Sequence, residues 1–231
     1  MMTYSSVVVT GTVAYDEIMD FPGKFADYFQ PERLHQINIS FVVSNLEKQL
    51  GGTATNISYN LFLVLNYLEK KLTVTPLSAV GKDGEKLLDF FNTQHINTRG
   101  LYVDKMLYTA SGKVITDQND NQIWGYYYGA SKSAIKLPIK KFFNPKNLWV
   151  ISANHPDAFL HFQKEAIRNN ITYIYDPGMS LTWIKDRDLK EGIMHAQYIV
   201  GNDYEVAMIL KRLQLSIHQL IGIRACIITT L

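Results

Sequence analysis

Gly51-Gly52-Thr53-Ala54-Thr55-Asn56 is the stretch best suited to hold a small molecule. Two glycines let backbone approach a ligand closely and reach φ > 0, and the first turn of a following helix presents unpaired N–H groups to hydroxyls or anions. Asn56, in that first turn, offers a donor and an acceptor, or serves simply as a cap or turn amide. Asp16 stands just beyond the first apolar run, where ligands bind in open α/β sheets and where turns also take an aspartate. Asp176-Pro177-Gly178 and Asn202-Asp203-Tyr204-Glu205 each close a later apolar run. Asn202 followed three residues on by Glu205 is also close to a capping box, so the same spacing suits a helix start and a ligand site.

Those groups need strands and helices to hold them. Val7-Val8-Val9 predicts a buried opening strand over 6–10, closed by Gly11. Ile37, Ile39, Phe41 and Val43 alternate, which predicts a half-exposed strand over 37–43 in an accessory sheet. Ile57, Leu61, Val64, Leu65 and Leu68 recur at helical spacing, predicting a helix over 54–69 with Thr53 as its N-cap. A strand over 73–80, a turn at Gly81-Lys82-Asp83-Gly84 and a helix over 85–94 follow. Segments 108–116 and 123–128 flank a polar connector and read as a long hairpin, a second contribution to the accessory sheet. Strands at 148–152, 171–175 and 198–200 then alternate with helices at 157–169, 181–186 and 204–213. Such alternation implies a mostly parallel sheet built by right-handed crossovers, with helices on both faces. Residues 225–231 read as one more buried parallel strand, and a chain stopping there reads as unfinished because such a strand needs cover on both faces.

Composition narrows the partners. The 231 residues suit one α/β domain, and a net charge of +2 with dispersed Lys and Arg leaves no footprint for nucleic acid or an anionic membrane. The single cysteine, Cys226, lies in an apolar run as an inert thiol and permits no disulfide within the chain. No apolar run approaches the roughly 18 residues of a membrane span, and the start of the chain has no basic leader region, which together predict a cytoplasmic address. There is no phosphate-binding P-loop, dinucleotide fingerprint or serine-nucleophile elbow. The six histidines include no i, i+4 pair, so they read as surface or capping residues and a metalloenzyme is not expected.

Taken in order, Asp16, Gly51-Gly52 with Asn56, Asp176-Pro177-Gly178 and Asn202 with Glu205 resemble the ribokinase-like (PfkB) family of carbohydrate and nucleoside kinases. Within it, the stretch from Gly11 to Gly23 is similar to the adenosine-kinase-like branch, and the resemblance runs from about residue 7 to 231. It implies an α/β ribokinase-like fold, as a single incomplete kinase domain over 1–231, with a small β lid drawn from about 12–45 and 106–128. The implied reaction transfers the γ-phosphoryl of ATP to a primary hydroxyl of an uncharged nucleoside or sugar, with Mg2+; adenosine is the leading substrate.

The resemblance also implies roles. Asp16 would accept hydrogen bonds from vicinal ribose hydroxyls, and charge-assisted bonds of that kind are roughly twice as strong as neutral ones. Gly51, Gly52 and Asn56 would close on the sugar. Phe41, Tyr126 and Tyr128, from the lid, would stack on a nucleobase or merely pack the lid. Asn202 and Glu205 would organise magnesium and phosphate through water, with no direct metal ligand in the chain. Asp83 matches a family pattern of structural character.

One departure stands out. Family members carry, beyond the last strand, a glycine-led nucleotide loop and a Gly-Ala-Gly-Asp helix start that supplies the anion hole and the catalytic base. No such sequence occurs in the chain, so the base is expected beyond Leu231 and the ATP-binding part absent. The rival expectation is a non-catalytic remnant that at most binds nucleoside. Partners left open are a homodimer through the lid and a complementing C-terminal fragment.

Overall fold

The computed structural model describes residues 4–223 and 225–229. The chain opens with β1 (Ser6–Thr10), β2 (Ala14–Asp20) and β3 (Asn45–Gly51), then α1 (Thr53–Tyr67), β4 (Thr73–Val80) and α2 (Glu85–Thr93). A short β5 (Leu101–Val103) and the hairpin of β6 (Ala110–Thr116) and β7 (Gln122–Tyr127) come next. From there strands and helices alternate: β8 (Asn147–Ser152), α3 (Pro156–Arg168), β9 (Tyr173–Asp176), α4 (Asp186–His195), β10 (Tyr198–Asn202), α5 (Asp203–Leu213), α6 (Ile217–Ile223) and β11 (Ala225–Thr229).

Seven strands form a parallel sheet in the order β11-β10-β9-β8-β1-β4-β5. Alternate residues of each strand serve opposite faces, so a strand covered on both sides reads as a continuous apolar run. Val8, Trp149, Ile151, Tyr173, Tyr175 and Ile199 pack on one face against α3, α4, α5 and α6, through Phe159, Phe162, Leu189, Ile193, Val206 and Leu220. Val7, Val9, Val74 and Val80 pack on the other against α1 and α2, through Ala54, Leu65, Leu87 and Phe91. Cover is therefore unequal among the described residues: four helices serve the first face and two the second. Where α1 ends its reach, Ile57, Leu61, Val150, Ile174 and Val200 line an apolar groove of about 310 Å³. The apolar stripe of α1 is only partly used, for Val64 and Leu68 are 52% and 53% exposed.

A second sheet of four strands, ordered β3-β2-β6-β7, stands beside the first. Two expectations change here. Residues 37–43 form no strand: Phe41 instead enters an aromatic cluster with Phe21 and Phe25, ring centroids 4.7 and 5.1 Å away. The partner of β2 is the more polar β3, joined to it over seven residues from Ala14↔Gly51 to Asp20↔Asn45, so backbone pairing outweighs the apolar alternation upstream. The helix expected at 181–186 is a short 3-10 turn over Gly178–Thr182, and the true helix begins at Asp186. Ile184 and Leu181 are buried there as core anchors, and the acids Asp186 and Asp188 then favour a helix start. Strand β2, strands β3 and β5, and helix α6 had no clear signal in the sequence. Among the described residues no helix is long and apolar enough to cross a membrane.

Candidate functional site

Asp16 lies in the middle of β2, opposite Gly112 in β6, which is in turn opposite Tyr126 in β7. Gly51, at the end of β3, is the diagonal neighbour on the same face. The two glycines leave the carboxylate room. A Cβ at Gly112 would sit 2.8 Å from Asp16 Oδ1, and one at Gly51 would collide with the carboxylate outright. Burial raises the Asp16 pKa, while the backbone N–H of Gly112, donating to the carboxylate, holds it down. Tyr126 is pushed up to about 12 by burial and by the nearby Asp16 and Tyr128, against a hydrogen bond with Thr12, so it presents a neutral hydroxyl.

The turn that brings β3 to α1 is knitted to the ends of the central strands. Gly52 is the N-cap at φ 88°, a left-handed value suited to glycine, and a side chain there would strike the Thr12 backbone. Thr53 is thus the first helical residue rather than the cap. Its hydroxyl donates to the Ala153 carbonyl (2.9 Å) and accepts from the Thr12 N–H (3.2 Å) and from Ser152 Oγ (3.0 Å). The Thr53 N–H returns a bond to Thr12 Oγ1, and the Ala54 N–H donates to the Thr12 carbonyl. Ser78 Oγ and Asn154 Nδ2 both donate to the Gly11 carbonyl. β1, β4 and β8 therefore meet at one cross-linked edge. Asn56, in the first turn of α1, is exposed, and its N–H donates to the Gly52 carbonyl.

Asn202 and Glu205 stand three strands away, roughly 14 Å along the same carboxyl edge. They form a complete capping box for α5: Asn202 Oδ1 accepts from the Glu205 N–H (2.8 Å), and Glu205 Oε2 accepts from the Asn202 N–H (2.9 Å). Glu205 Oε1 and Asp176 Oδ1 border a common space, each about one van der Waals contact from where a Gly178 Cβ would be. Burial, and then the Glu205 charge, push the Asp176 carboxyl up to about 7. Asp176 is a perturbed acid whose place after an apolar run is visible in the sequence without a role attached to it.

The structure gathers Asp16, Gly51, Gly52, Tyr126 and, one ring beyond, Tyr128. Phe41 is not with them: its cluster lies past Asp20, more than four strand rises or roughly 13 Å from Asp16. Asp83 accepts from both the N–H and the hydroxyl of Thr109 (2.7 Å each) and its carbonyl accepts from Tyr15, so it ties the small sheet to the body. A cavity of about 710 Å³ beside Tyr15, Glu17, Lys48 and Lys113 is on the opposite face of the small sheet from Asp16, because neighbouring strand residues point opposite ways. Sequence spacing did not reveal His155. It follows β8, and its ring lies 5.3 Å edge-on from Tyr128, itself 5.1 Å edge-on from Tyr126. Among the described residues no group of three or more His, Cys, Asp or Glu is placed to hold a metal.

A mostly parallel sheet with polar residues at its carboxyl edge, beside a small sheet carrying an acid, is a ribokinase-like α/β architecture. Residues 11–229 match the pfkB family carbohydrate kinases, and the chain belongs to that family. It is 29% identical over 188 residues to a nucleoside kinase of Methanocaldococcus jannaschii, an alignment covering 78% of this chain and 57% of that protein. The chain thus spans little over half the length of that relative. Its fold is similar to that of the Burkholderia thailandensis nucleoside kinase in complex with inosine, with a TM-score of 0.82 at 26% identity over 97% of this chain and 70% of the other. The M. jannaschii nucleoside kinase structure, at 22% identity, shares the fold with a TM-score of 0.79 over all of this chain and 72% of its own.

Proposed function

We propose that this chain forms the acceptor-binding half of an ATP-dependent kinase acting on an uncharged nucleoside or sugar, with adenosine the leading substrate. The observation that carries this reading is the Asp16 carboxylate, open between Gly51 and Gly112. A carboxylate there accepts two hydroxyls of a ribose at once, while Gly51 and Gly52 leave the backbone within reach of the sugar. No Lys or Arg stands within Gly51-Gly52-Thr53-Ala54-Thr55-Asn56, which favours an acceptor without a phosphate. Asn56 meets a further hydroxyl from the first turn of α1, and the small sheet acts as the lid, with Tyr126 and Tyr128 against the base.

The oxygen-rich pair Asn202 and Glu205 suits water-mediated magnesium, since the capping box leaves Glu205 Oε1 and the Asn202 amide nitrogen unspent. Magnesium with ATP supplies charge neutralisation for phosphoryl transfer. The chain contains no Gly-Ala-Gly-Asp to hold the nucleotide phosphates or to take the acceptor proton. That observation favours a second reading, in which these residues bind nucleoside without turnover, alone or until a complementing segment or second copy joins them.

Calorimetry and a phosphorylation assay separate the readings. We expect adenosine to bind, and Asp16→Ala to weaken it on the order of 10²–10⁴-fold through loss of two charge-assisted bonds. Phosphorylation of adenosine by the chain alone, removed by Asp16→Ala, would refute the binding-only reading. Adenosine binding that ignores Asp16→Ala would refute the acceptor site itself.

A further inference from the structure

The Tyr126, Tyr128 and His155 rings form an edge-to-face ladder that begins beside Asp16 and ends at the carboxyl edge of β8. The far end of this ladder opens on a cavity of about 330 Å³ lined by Tyr126, Tyr128, Gly129, Lys132 and His155. His155 is no ordinary cap. It is the N-cap of α3, where Nδ1 accepts the Asp157 N–H at 3.2 Å. An imidazole whose Nδ1 accepts carries its proton on Nε2 when neutral. Its side chain is only 21% exposed, and Nε2 has no protein partner among the described residues. Burial lowers the His155 pKa and Lys132 lowers it further, against the pull of Asp157, which favours the neutral ring.

We infer that His155 sets the base specificity of the site, donating its Nε2–H to the N3 or N7 acceptor of a purine held beside Tyr126 and Tyr128. The inference rests on the acceptor-site reading of Asp16 given above. A ribose held by Asp16 through its hydroxyls can direct its base along the ladder, and two ring steps of 5.1 and 5.3 Å suit the longer purine better than a pyrimidine. A buried donor left unpaired discriminates strongly against ligands lacking the acceptor, because its desolvation is then uncompensated.

Calorimetry with adenosine, 7-deazaadenosine, 3-deazaadenosine and D-ribose tests this on the whole chain. One of the two deaza analogues, each missing one ring acceptor, should bind about tenfold more weakly than adenosine. His155→Asn keeps an acceptor for the helix cap but not the reach of the imidazole. It should weaken adenosine about tenfold, abolish the discrimination between adenosine and the deaza analogues, and leave D-ribose unchanged. Ratios within one variant are insensitive to any loss of folded protein. Equal binding of all three purines by the wild type, or discrimination that persists in His155→Asn, overturns the role of His155 while leaving Asp16-dependent binding intact. Absence of binding by every ligand, or binding indifferent to Asp16→Ala, overturns the acceptor site and this inference together.

Discussion

Two half-buried carboxylates, Asp16 on the small sheet and Asp176 at the carboxyl edge of the parallel sheet, are built on opposite plans. Asp16 is flanked by two glycines, receives the Gly112 N–H, and sits over a turn in which Thr12, Thr53, Ser152 and Ala153 satisfy one another. Asp176 faces another acid, Glu205, and borders the apolar groove that the two helices of that face leave open. Burial raises both acids; only one has a donor to oppose it. The contrast teaches that burial alone does not make a binding group. Asp16 keeps the open, donor-opposed carboxylate that the proposed hydroxyl acceptor needs, whereas Asp176 is a charge held at a cost in a region whose cover is thin.

The largest effect should come from removing space at Asp16. Gly51→Ala places a methyl into the carboxylate, so either Asp16 or the β3 end must move. Adenosine affinity should fall by ~10² or more, comparable with loss of the carboxylate's bonds, while overpacking costs the fold about 1–3 kcal/mol. Wild-type affinity in a folded Gly51→Ala protein would break the contrast, since the openness around Asp16 would then be irrelevant.

A smaller effect belongs to Asp176. Its folded pKa of about 7 exceeds the unfolded value of ~3.9, so the native state binds the proton more tightly. That contribution is fully present below about pH 4 and is lost as pH rises through 7. Asp176→Asn cannot lose it. The variant should therefore exceed wild type in stability by roughly 2 kcal/mol at pH 8, with relaxation trimming the full displacement, and the gap should close toward pH 4. Urea midpoints at several pH values report the difference, and a gap that is constant with pH would show that Asp176 is not held as the acid.

How much of this was legible depends on what each region encodes locally. The alternating βα half announces itself through runs such as Leu148 to Ser152 and the helix after His155, where neighbours in sequence also pack together. β3 does not: Asn45 to Gly51 is mostly polar, and only its seven-residue pairing with β2 makes it a strand. Phe41 looked like a strand residue because its alternation is real, yet Phe21, Phe25, Tyr28 and Phe29 give its ring four aromatic neighbours instead. Asp16, expected just beyond the first apolar run, stands mid-strand in β2, whereas Gly51 and Gly52 were readable as ligand-type residues from their turn. Gly112 and His155 were not, because their closeness to Asp16 and Tyr128 is a product of register and of long crossovers rather than of spacing.

The smallest effect separates structure from chemistry at the second region. Asn202 caps α5 through Oδ1, and its Nδ2 takes no part in the capping box. Asn202→Ala removes both and should cost about 1 kcal/mol of stability, the ordinary value of a lost N-cap. Asn202→Asp keeps the cap oxygen and removes the amide nitrogen, so its stability should stay closer to wild type than that of the alanine variant. It also adds a negative charge beside Glu205 and Asp176, which should raise the Asp176 titration further if the three share one space. Carboxyl-carbon NMR titration of Asp176 in the two variants measures this directly. An unchanged Asp176 titration in Asn202→Asp would mean that Asn202 faces away from the acids, leaving the second region a helix start beside the Asp176 and Glu205 pair and the contrast with Asp16 one of electrostatics alone.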